Sequence, residues 1–423
     1  MCNISDFQKL CWVGGGASAK VFKVRHKRYG YIRALKELNA YIKDEDDPAY
    51  ITFLKEARLL LNIGNGGHPN IVRIGHPFLD NNRAYLEMDY VQGDTVQKLT
   101  ESSPFIPFEE IHRFILDIVG AVAYCHHDIY LDLMDKEKDQ LETDPDDARQ
   151  FIIGKQKRLA LINKYRVIHN DLHSANIIRR DRDGRYILLD FGLSIQNNEC
   201  VQSSSRRDGA IEYKAPEKLS PNAYIVPKEF ETATDVYSLG VLLYEMMTGR
   251  PPFPLMGKSE KDISEVMTAH LENTPPYIEP LRRKAFEMTH PGEKYQQDYP
   301  DWFIGFIMKC LSKKPTDRYA DAKEMLDEYN NLLTETPHVT GKRETNHAGG
   351  IKKGNQPGDD ANTADHRPNK REDASKKTNP RTGGNASMAD SAAHESWLSQ
   401  YVPYIIAALI GISAMLGINT FFP

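Results

Sequence analysis

Cysteine is scarce in this chain, and so is any large excess of charge of one sign. The five cysteines among 423 residues include no C-x-x-C pair; they are Cys2, Cys11, Cys125, Cys200 and Cys310. This scatter argues against a disulfide framework or a cysteine-based zinc site and favours a reducing, cytosolic setting. The formal net charge of −5 is small for this length, so no nucleic-acid partner is expected.

The first residues lack a basic segment followed by an apolar one, so we expect no secretory signal there. Hydrophobic residues make up 40% of the chain, which is ordinary for a globular protein and sufficient for a large core. By length alone the chain could hold roughly two or three domains.

The most informative stretch runs from residue 169 to residue 192. Asp171 precedes Asn176 by five residues, two apolar runs then flank a polar turn at 182–184, and an Asp-Phe-Gly triplet begins at Asp190. This pattern predicts a loop, a two-stranded hairpin and a second loop, which together bring three oxygen-bearing side chains to one place. Such oxygens suit Mg²⁺ shared with phosphates, so Asn176 and Asp190 could hold metal while Asp171 acts as a base.

The arrangement resembles the catalytic and metal loops of the eukaryotic-type (Hanks-type) Ser/Thr protein kinases. The resemblance covers residues 7–333 and implies an α+β, bilobal protein kinase fold. Its small β-rich N-lobe would span about 7–91 and its large helical C-lobe about 92–333. It also implies that the chain uses ATP and Mg²⁺, with Mn²⁺ as an alternative ion, to phosphorylate protein hydroxyls.

A glycine loop follows the first predicted strand, Phe7 to Val13. Glycines let backbone N–H groups approach phosphates closely, although a plain hairpin turn is the alternative interpretation. In the kinase pattern G-x-G-x-x-G-x-V, Ala19 stands at the third glycine. The residues that would contact ATP here are Gly14, Gly15, Gly16 and Val21.

The next strand carries Arg33-Ala34-Leu35-Lys36, which resembles the kinase sequence V-A-I-K. The resemblance implies that Lys36 binds the α- and β-phosphates and that Ala34 faces adenine. Apolar spacing predicts a helix from Ala49 to Leu61, and Glu56 on this helix would orient Lys36. The alternative for Glu56 is an exposed ion pair worth about 0–1 kcal/mol.

Two further strands are predicted, one at Asn70 to Val72 and one from Ala84 into the hinge between the lobes. By resemblance, Met88 stands behind the adenine, and backbone groups of Asp89 and Val91 hydrogen-bond it.

Helical spacing is strong from Phe108 to His127. In the kinases the catalytic loop follows this helix closely, but here a charged insertion at about 128–166 intervenes. We expect a surface excursion with a second helix at Leu159 to Ile162. Whether the insertion serves docking or regulation stays open.

The catalytic loop departs from the kinase pattern at two positions. Asn170 replaces the usual Arg, which implies an enzyme that does not need a phosphorylated activation loop. His173 replaces the usual Lys and could contact the γ-phosphate or orient Asp171. Aminoglycoside and lipid kinases also carry Asp-Leu-His here, so a small-molecule substrate is an alternative.

The block from Gly209 to Glu217 resembles G-T-x-x-Y-x-A-P-E of the Ser/Thr kinases, with Ala210 in place of the Thr. It favours protein substrates, which include the enzyme itself. Later matches imply that Asp235 caps the catalytic loop and that Arg318 pairs with Glu217. The alternative from another class is a membrane-tethered pseudokinase, which binds nucleotide or partners without transfer.

The last part of the chain changes character. Residues 334–400 are polar and low in aliphatic side chains, which predicts a disordered linker. Residues 402–422 carry no charge and have aromatic side chains near both ends, which predicts one transmembrane helix acting as a C-terminal anchor. Small residues four apart in it could let two copies pack as a homodimer. Because ATP is cytosolic, the catalytic domain is expected in the cytoplasm.

Overall fold

A computed structural model describes residues 3–15, 19–64, 68–129, 160–191, 195–196, 199–200, 211–220, 226–227 and 230–335. Residues 1–343 form one compact unit. The predicted span at 402–422 lies outside the described residues, as does all of the predicted linker beyond residue 335. Within the part of the chain that is described, no helix is long and apolar enough to cross a membrane.

Five antiparallel strands form the sheet of the N-lobe in the order β1-β2-β3-β5-β4. They are β1 Phe7–Gly15, β2 Ala19–His26, β3 Ile32–Leu38, β4 Ile74–Asp80 and β5 Arg83–Asp89. Because side chains alternate between the faces of a strand, each face gathers its own apolar residues. One face forms a small core around Phe7, Leu35 and Tyr85, and Leu86 on β5 belongs to the main core of the molecule.

Helix α1, Pro48–Gly64, packs against β4 and β5. Its start follows from the sequence, because Asp47 accepts the backbone N–H of Ala49 at 2.9 Å and proline is favourable in the first helical position. Phe53, Ala57 and Leu60 form its buried stripe. The predicted helix is therefore confirmed, and it extends three residues further.

The strand predicted at Asn70 to Val72 is wrong. Ile71 forms only an isolated bridge to Leu188, and the N–H of Val72 donates to the Leu188 carbonyl at 3.0 Å. The neighbouring strand instead begins at Ile74. Ile71 and Val72 are buried because they connect the N-lobe to the C-lobe. In the sequence, a short buried apolar run of this kind cannot be distinguished from a strand.

The C-lobe is mainly helical. Its helices are α2 Val96–Ser102, α3 (the consecutive segments Phe108–Phe114, Ile115–Val119, Gly120–Ala123 and Tyr124–Asp128), α4 Pro216–Leu219, α5 Ala233–Thr248, α6 Glu260–Glu272, α7 Ile278–Thr289, α8 Phe303–Cys310 and α9 Ala322–Glu335. Helix α5 is buried along its whole length, so the other helices pack around it. The helix ends at Thr248, and the next residue, Gly249, has a φ of +80°, a conformation that favours glycine.

Two predicted segments, the start of the linker and the end of the insertion, can be compared with the helices that the structure shows. Helix α9 continues through Glu335, so the first two residues of the predicted linker belong to the helix. The last residues before the catalytic loop, 160–165, are helical, which agrees with a helix near the end of the insertion. Residues 130–159 of the insertion lie outside the described residues.

Short strands carry the catalytic segment. They are β6 Gly93–Thr95, β7 Val167–Ile168, β8 Ile177–Arg180 and β9 Tyr186–Leu188, and β8 pairs with both β6 and β9. Gly184, at a φ of +68°, lies in the turn between β8 and β9. The predicted hairpin is therefore confirmed.

Candidate active site

Lys36 lies between two carboxylates. Its Nζ is 2.6 Å from Glu56 Oε1 and 3.0 Å from Asp190 Oδ1, although 154 positions separate Lys36 and Asp190 in the sequence. Burial by itself lowers the pKa of Lys36, but the charges of Asp190 and Glu56 outweigh it and raise the pKa above its usual value. Lys36 therefore stays protonated, and the alternative of an exposed ion pair for Glu56 is excluded because both side chains are buried.

The register of the sheet places the other predicted ATP contacts around Lys36. Val21 pairs with Lys36, and Ala34 pairs with Met88, so these residues share the face of the sheet that carries Lys36. Gly14 lies opposite Val21 at the end of β1.

Gly15, Gly16 and the hinge complete this set. A Cβ on Gly15 would come within 2.7 Å of the Ala19 carbonyl oxygen, so the close strand pairing requires glycine there. Gly16 lies outside the described residues. At the hinge, the N–H of Asp89 donates to the Arg73 carbonyl at 2.9 Å, so the predicted backbone hydrogen bond from Asp89 to adenine would have to use its carbonyl. Val91 lies two residues further, after the end of β5.

The backbone of the loop that carries Asp171 is hydrogen-bonded to Asp235 on α5. The backbone N–H groups of His169 and Asn170 donate to its carboxylate at 2.7 and 2.9 Å, and His126 Nε2 donates at 2.9 Å. Burial raises the pKa of Asp235, but the hydrogen bonds from His126 and from the backbone of His169 help to outweigh it and hold the pKa below the usual range. The predicted cap is confirmed, and His126 is a partner that the sequence did not suggest.

The backbone at Asn170 is unusual, with a φ of +62°. Asparagine tolerates this left-handed region better than most residues. Asp190 also has a positive φ, of +39°. Non-glycine residues in this region cluster at functional sites, and both of these flank the predicted catalytic groups.

His173 lies beside the predicted base. Its Nε2 is 3.8 Å from Asp171 Oδ2, and its ring centroid is 6.1 Å from that of Tyr213. Asn176 Nδ2 donates to the Asp171 carbonyl at 3.1 Å. The carbonyl of Asn176 accepts the N–H of Leu189 at 2.8 Å, which fixes the base of the hairpin next to Asp190.

A buried ion pair supports the site from the C-lobe. Arg318 donates to both carboxylate oxygens of Glu217 at 2.8 Å, and its remaining donors bond the carbonyls of Ser312, Lys313 and Ala233. The guanidinium is fully buried, so this geometry satisfies a charge that would otherwise be costly. The predicted pair is confirmed.

A family model for the protein kinase domain matches residues 7–133 and 129–329 of the chain. The chain belongs to the protein kinase family. A probable serine/threonine-protein kinase of Clostridium acetobutylicum is 26% identical over 321 residues, which cover 76% of this chain and 39% of that relative. An Aurora kinase of Candida glabrata is 30% identical over 255 residues, 59% of this chain and 56% of that relative.

A plant relative extends the comparison. The serine/threonine-protein kinase AtPK1/AtPK6 of Arabidopsis thaliana is 30% identical over 251 residues, 59% of this chain and 43% of the relative. The part of this chain that matches these relatives therefore spans only about half of their length, or less.

The oxygen ligands of the kinase site fit a hard divalent cation. Members of this family use ATP and a divalent metal ion. Asn176 uses its amide nitrogen on the Asp171 carbonyl, so its side-chain oxygen is the atom available for a metal, and Asp190 adds a carboxylate. One carboxylate, one amide oxygen and substrate phosphates form the kind of ligand set that Mg²⁺ uses.

Sequence reasoning missed a buried hydrogen-bond chain beside the kinase's catalytic loop. Ser174 Oγ lies 2.7 Å from the Tyr213 hydroxyl, which donates to Glu245 Oε2 at 2.7 Å, and Thr100 donates to Glu245 Oε1 at 3.0 Å. Burial raises the pKa of Glu245, and these hydrogen bonds counteract it only in part. The four residues come from segments that are far apart in the sequence, so no local spacing could have predicted these hydrogen bonds.

Proposed function

We propose that this chain is an ATP-dependent serine/threonine protein kinase that transfers the γ-phosphate of ATP to protein hydroxyls. The observation that carries the proposal is Lys36, held between Glu56 and Asp190, close to a loop in which Asp235 fixes the backbone before Asp171. Phosphoryl transfer depends mainly on positioning and on neutralising charge, and these residues are placed for both.

Each side chain has a distinct task in the proposed reaction. Lys36 binds the α- and β-phosphates, and Glu56 keeps its ammonium in place. Asp171 accepts the proton of the attacking hydroxyl, and His173 contacts the γ-phosphate or orients Asp171. Asn176 and Asp190 hold Mg²⁺, which neutralises phosphate charge when bound.

The preference for protein hydroxyls rests on two observations. Tyr213 and Glu217, from the block that resembles G-T-x-x-Y-x-A-P-E, are both buried against the C-lobe. Two of the relatives named above are described as serine/threonine-protein kinases. Protein kinases use the same phosphoryl-transfer chemistry on serine, threonine and tyrosine hydroxyls. The choice of serine or threonine as the acceptor is therefore part of the proposal.

The test uses residues 1–343, the compact unit, with labelled ATP and Mg²⁺. We expect label on general protein substrates or on the kinase itself, recovered as phosphoserine or phosphothreonine. Asp171→Asn and Lys36→Met should each remove transfer in a folded protein. Asp171→Asn should leave the thermal unfolding midpoint nearly unchanged, whereas Lys36→Met should lower it because Glu56 loses its buried partner.

Three other outcomes would contradict the proposal. Near-normal transfer by Asp171→Asn would exclude Asp171 as the base. A folded wild type that binds ATP without transfer would favour a pseudokinase. Label on aminoglycosides or sugars, with none on proteins, would favour a small-molecule kinase.

We further propose that the run 402–422 anchors the kinase in a membrane, with the catalytic domain in the cytoplasm and with association of two spans as a homodimer. The support is the sequence alone: no charged residue occurs over a length sufficient to cross a bilayer. The full chain should resist extraction from membranes at alkaline pH, and a chain ending at residue 401 should be extracted. Equal extraction of both would contradict the anchor.

A further inference from the structure

One segment of the N-lobe is strongly basic in a chain whose net charge is −5. No Asp or Glu occurs from Phe7 to Lys36, while eight basic residues do: Lys9, Lys20, Lys23, Arg25, Lys27, Arg28, Arg33 and Lys36. Three have acidic partners, since Lys9, Arg33 and Lys36 form ion pairs. Among the residues that the structure describes, the other five form no ion pair.

Three of these five gather where β2 turns into β3. Arg25 lies exposed near the end of β2, and Lys27 and Arg28 lie exposed in the turn. Lys23, two positions before Arg25, is half-buried, and its Nζ lies 4.2 Å from the ring centroid of Tyr90. Tyr29 is 66% exposed and Tyr31 is 41% exposed in the same turn. The name "β2–β3 tip" is used below for this surface, formed by Arg25, Lys27, Arg28, Tyr29 and Tyr31.

His26 holds the β2–β3 tip in one conformation. Its Nδ1 accepts the backbone N–H groups of Arg28 at 3.2 Å and Tyr29 at 3.4 Å. Its ring centroid lies 4.7 Å from that of Tyr29 and 4.8 Å from that of Tyr31, and the two tyrosine rings are 5° from parallel. Gly30 closes the turn by donating to the His26 carbonyl at 2.8 Å. The backbone of the turn and the two tyrosine rings are therefore ordered before any partner binds.

The acidic residue that touches this turn does not neutralise it. Asp6 accepts the Lys27 N–H through its backbone carbonyl, and its carboxylate accepts the N–H of Asn3. Glu87 and Asp89 bond Arg33, on the neighbouring strand. The charges of Arg25, Lys27 and Arg28 thus face solvent.

We propose that the β2–β3 tip docks on a membrane surface rich in anionic phospholipids. Basic residues close to such a surface each strengthen binding by about fivefold. Tyrosine rings are favoured at the boundary between headgroups and hydrocarbon, and the two exposed rings lie beside the cations. An exposed turn fits a flat surface better than it fits a peptide, which would need a groove or a strand edge.

The docking is independent of the run 402–422. If that run also anchors the chain, the tip would add a second, reversible attachment that fixes how the kinase domain faces the membrane. A test with the isolated kinase domain therefore separates the two attachments.

The experiment is co-sedimentation of residues 1–343 with vesicles. This unit contains both apolar cores and all described helices and strands, so it is expected to fold without the rest of the chain. One vesicle preparation is phosphatidylcholine alone, and the other contains about one third phosphatidylserine. Arg25→Gln/Lys27→Gln/Arg28→Gln removes three charges from the tip. Lys258→Gln/Lys284→Gln/Lys294→Gln removes three exposed charges from the C-lobe as a matched control.

We expect the wild type to sediment with the anionic vesicles and to be released by salt. The tip variant should lose at least tenfold in affinity, and the control should stay within about twofold of wild type. A second variant, Tyr29→Ser/Tyr31→Ser, keeps every charge and should lose several-fold in affinity, with its fold checked by thermal unfolding.

Two outcomes would overturn the proposal. One is the absence of binding to anionic vesicles, or equal losses in the tip and control variants. The other is tighter binding to a nucleic-acid duplex or to polyglutamate than to the vesicles, which would assign the tip to a different class of partner.

Discussion

At the scale of single residues, the hydroxyl of Tyr213 connects the catalytic loop to helix α5. A tyrosine has one hydroxyl proton, and Tyr213 donates it to Glu245 at 2.7 Å. Ser174 must then be the donor in its 2.7 Å bond to Tyr213. Because Ser174 follows Asp171 by three residues, this bond ties the position of Asp171, the proposed base, to a segment that leads to the Ala-Pro-Glu block.

Ser174→Ala should therefore lower kcat for a peptide substrate by about two- to tenfold, the value of one buried hydrogen bond. The KM for ATP should not change, because Lys36 and the hinge keep their contacts. Thr248→Ala is the control, since it removes a buried hydroxyl that bonds only nearby carbonyls on α5 and in the following turn. Steady-state kinetics decide: equal losses of kcat in both variants would show a general loss of rigidity.

Individual residues were predictable where the chemistry fixes a local spacing. Asp171 and Asn176 stand five positions apart in one loop, and this spacing with the following triplet indicated a metal site. The sequence does not give distances between separate segments, so the link from Ser174 to Tyr213 and the bond from His126 to Asp235 could not be predicted.

At the scale of elements, helix α5 packs closely on helix α8 at Gly240. A Cβ added there would lie 2.7 Å from the Cβ of Cys310 and 3.2 Å from Leu311. Both partners are buried, so neither can move without disturbing the core. Gly240 is therefore a packing requirement and not a weakness in the helix.

Gly240→Ala should lower the free energy of unfolding by about 1–3 kcal/mol through overpacking. Gly305→Ala on α8 is the matched control, because an added Cβ meets nothing within 4 Å there. That variant should be unchanged or more stable by up to about 1 kcal/mol. Urea unfolding of residues 1–343 measures both, and similar stability for the two variants would contradict this packing argument.

Periodicity predicted the elements well where one apolar stripe continues. It gave helix α3 from Phe108, but it did not show that the helix widens at Ile115–Val119 and again at Tyr124–Asp128. These segments depend on hydrogen bonds five residues apart, which a 3.6-residue stripe does not reveal. The error at Asn70 to Val72 has a similar cause, because Ile71 and Val72 are buried between the two lobes without forming a strand.

At the scale of the whole molecule, the stability of the C-lobe depends on a histidine that must stay neutral. His270 is fully buried, and its Nδ1 lies 2.8 Å from the Tyr237 hydroxyl. Burial, assisted by the positive charge of Lys313, lowers the pKa of His270 to about 3. An unfolded chain carries this histidine with a pKa of about 6.5.

Acid should therefore destabilise the kinase domain before carboxylates with ordinary pKa values are protonated. The folded pKa of His270 is depressed, so the unfolded chain binds the proton first, and stability falls as the pH drops from 6.5 towards 3. At pH 5.5 this loss is about 1.4 kcal/mol relative to neutral pH. His270→Gln removes this titration, so between pH 7.5 and pH 5.5 the wild type should lose about 1.4 kcal/mol more than the variant in urea unfolding. Equal losses would mean that His270 keeps an ordinary pKa in the folded protein and that its burial does not control the acid stability of the C-lobe.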